Sequence, residues 1–221
     1  MNNGTRWPKP WIAAASLTLV VAGVVQAQGT PPGTAPAGVP AAMMAPATKD
    51  PAAAPEGTYR IDLEHSSVVA RVSHRGMSYN VVRFGVREGT MHWNPADPAA
   101  IALDVTVDAK PYYAPIVYKI PPESAQSLNV AKFPEARFVS TAVHVKDGGR
   151  ATIDGQLTLM GVTKPVAIEA ELVGIGRSME GAPTAGFTGT MAINWGDFTA
   201  QPMARMIGKV TVVLDAEFIR N

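Results

Sequence analysis

Beyond residue 57 the chain alternates apolar and polar positions with a period of two, and residues 155–166 are where two such runs meet. Before the meeting point, Ala151, Ile153, Gly155, Leu157 and Leu159 share one face, with Thr152, Asp154, Gln156 and Thr158 opposite. After it, Val166, Ile168, Ala170, Leu172 and then Gly174 share a face, with Ala167, Glu169, Glu171 and Val173 on the other. A period of two is that of a strand with one buried side, so the stretch predicts a β-hairpin. Gly161 can take a positive φ at no steric cost. Pro165 has no amide to donate and is expected where the second strand begins.

The same reading extends along the domain. Tyr59, Ile61 and Leu63 alternate with Arg60, Asp62 and Glu64; Val68, Ala70, Val72 and His74 alternate with Val69, Arg71 and Ser73. A strand with Phe84 follows over residues 82–91. Ile101, Leu103, Val105, Val107 and Ala109 then oppose Ala102, Asp104, Thr106 and Asp108 in the cleanest amphipathic strand of the chain. Towards the C-terminus, Phe187, Gly189, Met191, Ile193 and Trp195 form one face, and Val210, Val212, Leu214, Ala216 and Phe218 another. About eight strands result, separated by turn signals at Asn94-Pro95, Asp147-Gly148-Gly149 and Glu180-Gly181. An antiparallel sheet of that size, apolar on one side, closes most simply into an all-β barrel with the apolar side inward; a two-sheet sandwich is the alternative. Small inward residues (Ala70, Ala109, Gly155, Ala170, Gly174, Gly189, Ala216) leave room for an interior cavity, unless large neighbours interdigitate and fill it.

Residues 110–132 break the pattern. Pro111, Pro115, Pro121 and Pro122, with Tyr112, Tyr113 and Tyr118, exclude a central strand and a long helix, leaving a crossover loop or an aromatic flap over one end of a barrel.

Candidate chemistry is sparse. His65, His74, His92 and His144 form no His-x-His pair and no His-Glu-x-x-His, so a zinc site has little support. Neither a nucleophile elbow nor a phosphate-cradling glycine loop is present. His74 shares parity with Val68, Ala70 and Val72 and is expected to point inward, as a core residue or a ligand contact. His65, ahead of Ser66-Ser67, suits turn bonding.

The N-terminus reads as an address. Arg6 and Lys9 precede an uncharged apolar run over residues 12–25, and Val25-Gln26-Ala27 offers small residues for cleavage; residues 1–27 are therefore expected to be a secretory signal peptide. Residues 28–56, rich in Pro and Ala, are expected to be a disordered linker, and residues 57–221 the folded domain. Removing the signal leaves 17 basic and 18 acidic residues and no membrane span. Charge is scattered without a basic stripe along the chain, which argues against nucleic acid as a partner. The absence of cysteine means that the fold is held by its core. Charged outward residues such as Arg60, Asp104, Asp154, Glu169 and Glu217 argue against an outer-membrane barrel.

Several segments together resemble the YceI-like family of periplasmic polyisoprenoid-binding proteins. They are Tyr59-x-Ile61-Asp62 with His65-Ser66, His74-x-Gly76-x-Ser78, and Phe84 ahead of Gly89-Thr90. They continue with Lys132-Phe133-Pro134-x-Ala136-x-Phe138 before Ser140-Thr141, the run 155–166, and Gly189-Thr190-x-x-Ile193-Asn194 with Asp197-Phe198. The chain departs from the family pattern at Ala70, Trp195 and Thr199, and residues 110–127 replace an Arg-Asp-x-His-Leu-like segment. The resemblance implies a lipocalin-like, closed antiparallel barrel of about eight strands. It further implies a non-enzymatic periplasmic or secreted protein that holds a polyisoprenoid or isoprenoid quinone in a hydrophobic interior cavity, needs no cofactor, and can be a homodimer. The lining expected from parity is Phe84, Phe138, Leu157, Leu159, Phe187, Ile193, Trp195, Val212 and Leu214, with His74 as a further ligand contact. A filled barrel docking to an envelope partner is the alternative.

Overall fold

The computed structural model of the protein describes residues 45–114, 121–202 and 204–221. The expected signal segment, most of the expected linker, and Tyr118 lie outside these residues.

Ten strands form: β1 (Gly57–Ile61), β2 (Ser67–His74), β3 (Ser78–Phe84), β4 (Val86–Trp93), β5 (Ala102–Asp108), β6 (Glu135–Lys146), β7 (Arg150–Leu159), β8 (Val162–Arg177), β9 (Pro183–Asn194) and β10 (Lys209–Arg220). Neighbours run β1-β4-β5-β6-β7-β8-β9-β10, and β10 pairs with β1 through Tyr59↔Arg220, Arg60↔Ile219 and Ile61↔Phe218. That pairing closes the ring as an eight-strand antiparallel barrel and removes the sandwich alternative. The extra two strands are continuations: β10 pairs with β1 at one end and with β2 over Val210–Asp215, and β3 leads into β4 across Gly85.

The central hairpin turns through Met160 (φ 51°) and Gly161 (φ 76°), both left-handed, as a two-residue loop requires. Leu159↔Val162 closes it, so β8 begins three residues earlier than expected and Pro165 lies inside the strand. The proline is tolerated because alternation makes Gln156↔Pro165 a non-hydrogen-bonded pair. The edge its amide would serve is not laddered, since β9 pairs with β8 only from Glu169 onward.

Three register shifts interrupt the period of two, the first between Val86 and Glu88 in β4. In β8 the register slips between Leu172 and Gly174, so Ile175 is buried and Gly174 faces outward, contrary to the parity expectation. Ala47 packs there: a β-carbon on Gly174 would lie 2.8 Å from that of Ala47. In β6 the slip between Ser140 and Ala142 passes the inward face from Phe138 to Val143 and Val145.

The folded region starts earlier than residue 57. Thr48 exchanges backbone hydrogen bonds with Ile175 at 3.0 and 2.7 Å, and Asp50 caps a 3-10 turn at Pro51–Ala53. Ala54 is fully buried. Its carbonyl accepts from Trp93 Nε1 at 3.2 Å, while Tyr59 donates to the Pro55 carbonyl at 2.6 Å. Residues 48–56 are thus a strap over one end of the barrel rather than linker.

Leu63, expected inward, is exposed because β1 ends at Ile61. In the break before β2, Asp62 Oδ1 accepts from the amides of Glu64 and His65 at 2.8 and 3.2 Å, and Oδ2 meets His65 Nδ1 at 2.9 Å. This is the turn-bonding role expected for His65.

Apolar side chains gather in two groups. One, around Phe138, Leu157, Leu159, Ile193 and Val212, lies towards the end that carries the β7–β8 turn. The other, around Tyr59, Ile61, Met91, Trp93, Leu172 and Phe218, lies under the strap.

Candidate functional site

Between and beneath these two groups runs a cavity of about 310 Å³, at the lower end of the range usual for small-molecule sites. All eight barrel positions contribute to its wall, which is almost wholly hydrocarbon. The wall combines aromatic rings (Phe84, Trp93, Phe138, Phe187, Trp195, Phe218) with small residues (Ala70, Ala109, Ala170, Gly189, Ala216). Phe187 sits at the centre of an aromatic group, its ring centroid 5.7 Å from that of Trp93 and 6.2 Å from that of Phe218, tilted and edge-on respectively.

Nine of the ten residues expected from parity line this cavity: Phe84, Phe138, Leu157, Leu159, Phe187, Ile193, Trp195, Val212 and Leu214. His74 does not. It is exposed at the last position of β2, two residues past Val72, the last β2 position paired with β10, where the β2–β3 hairpin projects beyond the ring and parity no longer means burial. Sequence reasoning left out Trp93 and the β6 residues Val143 and Val145. Trp93 follows Met91 at the same parity and was within reach of pattern alone; Val143 and Val145 were hidden by the bulge.

Not every small inward residue opens space. A β-carbon on Gly155 would lie 2.4 Å from two atoms of the Phe138 ring, so that glycine is filled by its neighbour. Gly189 is partly covered by Ile168 in the same way, at 3.0 Å. Interdigitation and an open lumen therefore coexist.

The mouth lies beside the β6–β7 hairpin. β5 pairs with β6 only from Asp104↔Val139 to Asp108↔Glu135, so the last turn of β6 has a partner on one side alone. Val145 lines the cavity yet is 58% exposed, which places the opening there, rimmed by Pro95, Pro98, Ile101 and Gly149. Arg150 also reaches the wall, its Nε donating to the Asp147 carbonyl at 3.2 Å.

The opposite end is closed. Val130 and Phe198 are buried there, and the Phe133 ring packs on the turn so closely that a β-carbon on Gly161 would lie 2.6 Å from it. Of the crossover, Leu128 touches the cavity, whereas Tyr112 and Tyr113 are exposed and bridge the backbone of Arg83 on β3. The two tyrosines therefore brace a strand and do not cover the lumen.

Asp62, His65 and Glu217 bring three candidate metal-ligating groups together, their donor atoms within 4.8 Å of one another. Asp62 and His65 lie in the β1–β2 break and Glu217 on β10, and none of the three lines the cavity. The Asp62 carboxylate is occupied by two amides and the imidazole. Partial burial acts to raise its pKa, but these hydrogen bonds outweigh it and hold the carboxyl below its ordinary value. The hydrogen bond and charge of Asp62 raise the pKa of His65. The arrangement is that of an ion-paired turn.

The family model described as a YceI-like domain matches residues 59–218. A UPF0312 protein of Shewanella baltica (strain OS185) is 42% identical over 153 residues, covering 67% of this chain and 79% of the relative. Among solved structures, BcnA of Burkholderia cenocepacia aligns with a TM-score of 0.60 at 19% identity, over 71% of this chain and 98% of that one. A structure described as a polyisoprenoid binding domain from Saccharophagus degradans aligns with a TM-score of 0.55 at 11% identity, over 74% of this chain and 98% of that one. At these identities the two structures speak to the fold.

Proposed function

The chain belongs to the YceI-like family, and from that premise we propose that it is a non-enzymatic, exported lipid-binding protein that holds a polyisoprenoid chain, of quinone or polyprenol type, in the barrel lumen. The observation that carries this reading is the cavity: an apolar channel reached from one end, walled by hydrocarbon from every barrel position. The polyisoprenoid-binding description of a fold neighbour points the same way.

Hydrocarbon burial suffices to drive such binding. Each buried methylene is worth about 0.8 kcal/mol, so a five-carbon isoprene unit gains roughly 3–4 kcal/mol. Association costs on the order of 4–15 kcal/mol, which several units exceed without a strong polar contact. Shielding the tail from water requires no chemical step, and the six polar residues that touch the lumen (Ser67, Asp108, Arg150, Glu171, Thr188, Asp215) are scattered over six strands. Thr188 spends its hydroxyl on Asp215 Oδ1 at 2.8 Å. Export rests on the residue pattern of 1–27. A barrel acting only as a docking module would have no use for an open lumen, which favours the carrier.

The test is to express the chain in a bacterial host, purify the mature protein without detergent, and weigh it by native mass spectrometry. A co-purifying lipid released on denaturation is expected; protein recovered only at its bare mass, before and after incubation with polyprenol and isoprenoid quinone, overturns the proposal.

A further inference from the structure

The chain as a whole is close to electrically neutral, yet residues 66–86 carry Arg71, Arg75 and Arg83 and no Asp or Glu. Along the sequence these arginines look scattered. Antiparallel pairing gathers two of them: Val69↔Arg83 and Arg71↔Val81 are adjacent pairs, so Arg71 and Arg83 are diagonal neighbours on the outward face of the β2–β3 hairpin. Tyr79 is the other diagonal neighbour of Arg71, whose guanidinium lies 4.5 Å from its ring centroid. Arg75 (φ 55°) and Gly76 (φ 74°) make the turn and put Met77 at the tip.

This hairpin is also unusually greasy for a surface. Met77 is 68% and Tyr79 57% exposed, and the exposed Tyr112 and Tyr113 extend the patch along the far edge of β3. On the other side of β2, the short helix α1 (Ala204–Ile207) adds exposed Arg205 and Met206; the turn it packs on carries an acid, Asp197. Arginines interleaved with exposed tyrosine and methionine, on a tip that projects past the closed ring, match an anionic bilayer surface. The guanidinium groups meet lipid phosphates while the tyrosine rings and methionine chains sit at headgroup level.

We propose that the β2–β3 hairpin is a membrane-docking surface that holds the barrel against anionic lipid headgroups. The choice of a bilayer over an acidic protein rests on the mixture of guanidinium groups with exposed tyrosine and methionine, which suits a headgroup layer better than a purely charged partner surface does. The cargo itself does not require this surface, because the hairpin tip lies outside the lumen and at the closed end of the barrel.

The experiment is co-sedimentation of the mature full-length protein with phosphatidylglycerol/phosphatidylcholine vesicles and with pure phosphatidylcholine vesicles, at low and physiological salt. Native mass spectrometry of the same preparation reports bound lipid separately. Binding to the anionic vesicles, weakened by salt, is expected. The triple variant Arg71→Gln, Arg75→Gln, Arg83→Gln should lose it by on the order of 100-fold, at about fivefold for each arginine, while its melting temperature and lumenal lipid stay unchanged. Equal binding to neutral vesicles, no binding to either, or undiminished binding by the folded triple variant each overturns the proposal, as does a preference for an acidic protein or nucleic acid over vesicles. A variant that fails to fold is replaced by Met77→Ser with Tyr79→Ser, for which the same loss is expected and the same outcomes decide.

Discussion

The ring of Phe138 on β6 occupies the place where a side chain of Gly155 on β7 would stand: a β-carbon there would lie 2.4 Å from two ring atoms and 2.6 Å from the Val139 carbonyl. Gly155→Ala is therefore expected to push the ring into the lumen and to destabilise the protein by about 1–3 kcal/mol, the usual range for overpacking. Denaturant unfolding measures the loss. A variant as stable as the parent would mean that the ring has free space to move into.

Ala170 on β8 lines the lumen, and filling the cavity from that position tests the carrier directly. Ala170→Trp should leave a folded barrel that co-purifies with at least tenfold less lipid. Phe187→Asp, which places a charge at the centre of the aromatic group, should abolish retention. Lipid content by mass spectrometry, compared at equal circular dichroism, decides between lost binding and lost folding.

The Asp62–His65 pair gives stability a defined pH window. The His65 pKa is raised by its hydrogen bond to Asp62, so its contribution is complete below the unfolded histidine value of about 6.5 and is lost as pH rises through the folded value. The Asp62 pKa is lowered, so its contribution is present above the unfolded aspartate value of about 3.9 and is lost on acidification through the folded value. Melting temperatures of parent and His65→Gln are expected to differ most below the unfolded histidine value of about 6.5 and to converge as pH rises through the folded value. The difference should be small, because the imidazole is well exposed. A gap that widens with rising pH would contradict the assignment.

The strap makes the domain boundary measurable. A truncated chain beginning at Gly57 loses Ala54 from its buried site and the acceptors of Trp93 Nε1 and the Tyr59 hydroxyl. With each hydrogen bond worth about 1 kcal/mol and the Ala54 burial added, a loss of roughly 2–4 kcal/mol relative to a chain beginning at Ala45 is expected in chemical denaturation. Equal stability of the two chains would show the strap to be idle.

Much of this architecture was legible in residue alternation, because a strand with one wet and one dry face writes its orientation directly into the order of residues. That is why nine lining residues from five strands and one turn could be placed before any geometry was known, and why Gly161 announced the central turn. Legibility ended where the period of two is interrupted. The bulges at Ser140/Ala142 and Leu172/Gly174 each add one residue and invert the faces beyond them, so Val145 became lumenal and Gly174 outward. Nothing in the local sequence marks such a slip. His74 fails for a different reason: its parity is correct, but burial depends on whether a neighbouring strand reaches that far, and β10 does not.

The sequence by itself determined the all-β class, the inward face of most strands, the hairpin at Met160-Gly161 and the family. These follow from interactions between residues close along the chain: turn chemistry, side-chain alternation and the poverty of catalytic side chains. Only the tertiary structure decided that the sheet closes through β1 and β10, that residues 48–56 belong to the fold, that the lumen opens beside Val145, and that three separated arginines share one hairpin. Each of these depends on where distant segments meet, and that is set by strand register and by bulges rather than by the composition of any one segment. The central hairpin joins both kinds of information, since its glycine was readable as a turn while the Phe133 ring packed against that glycine was not.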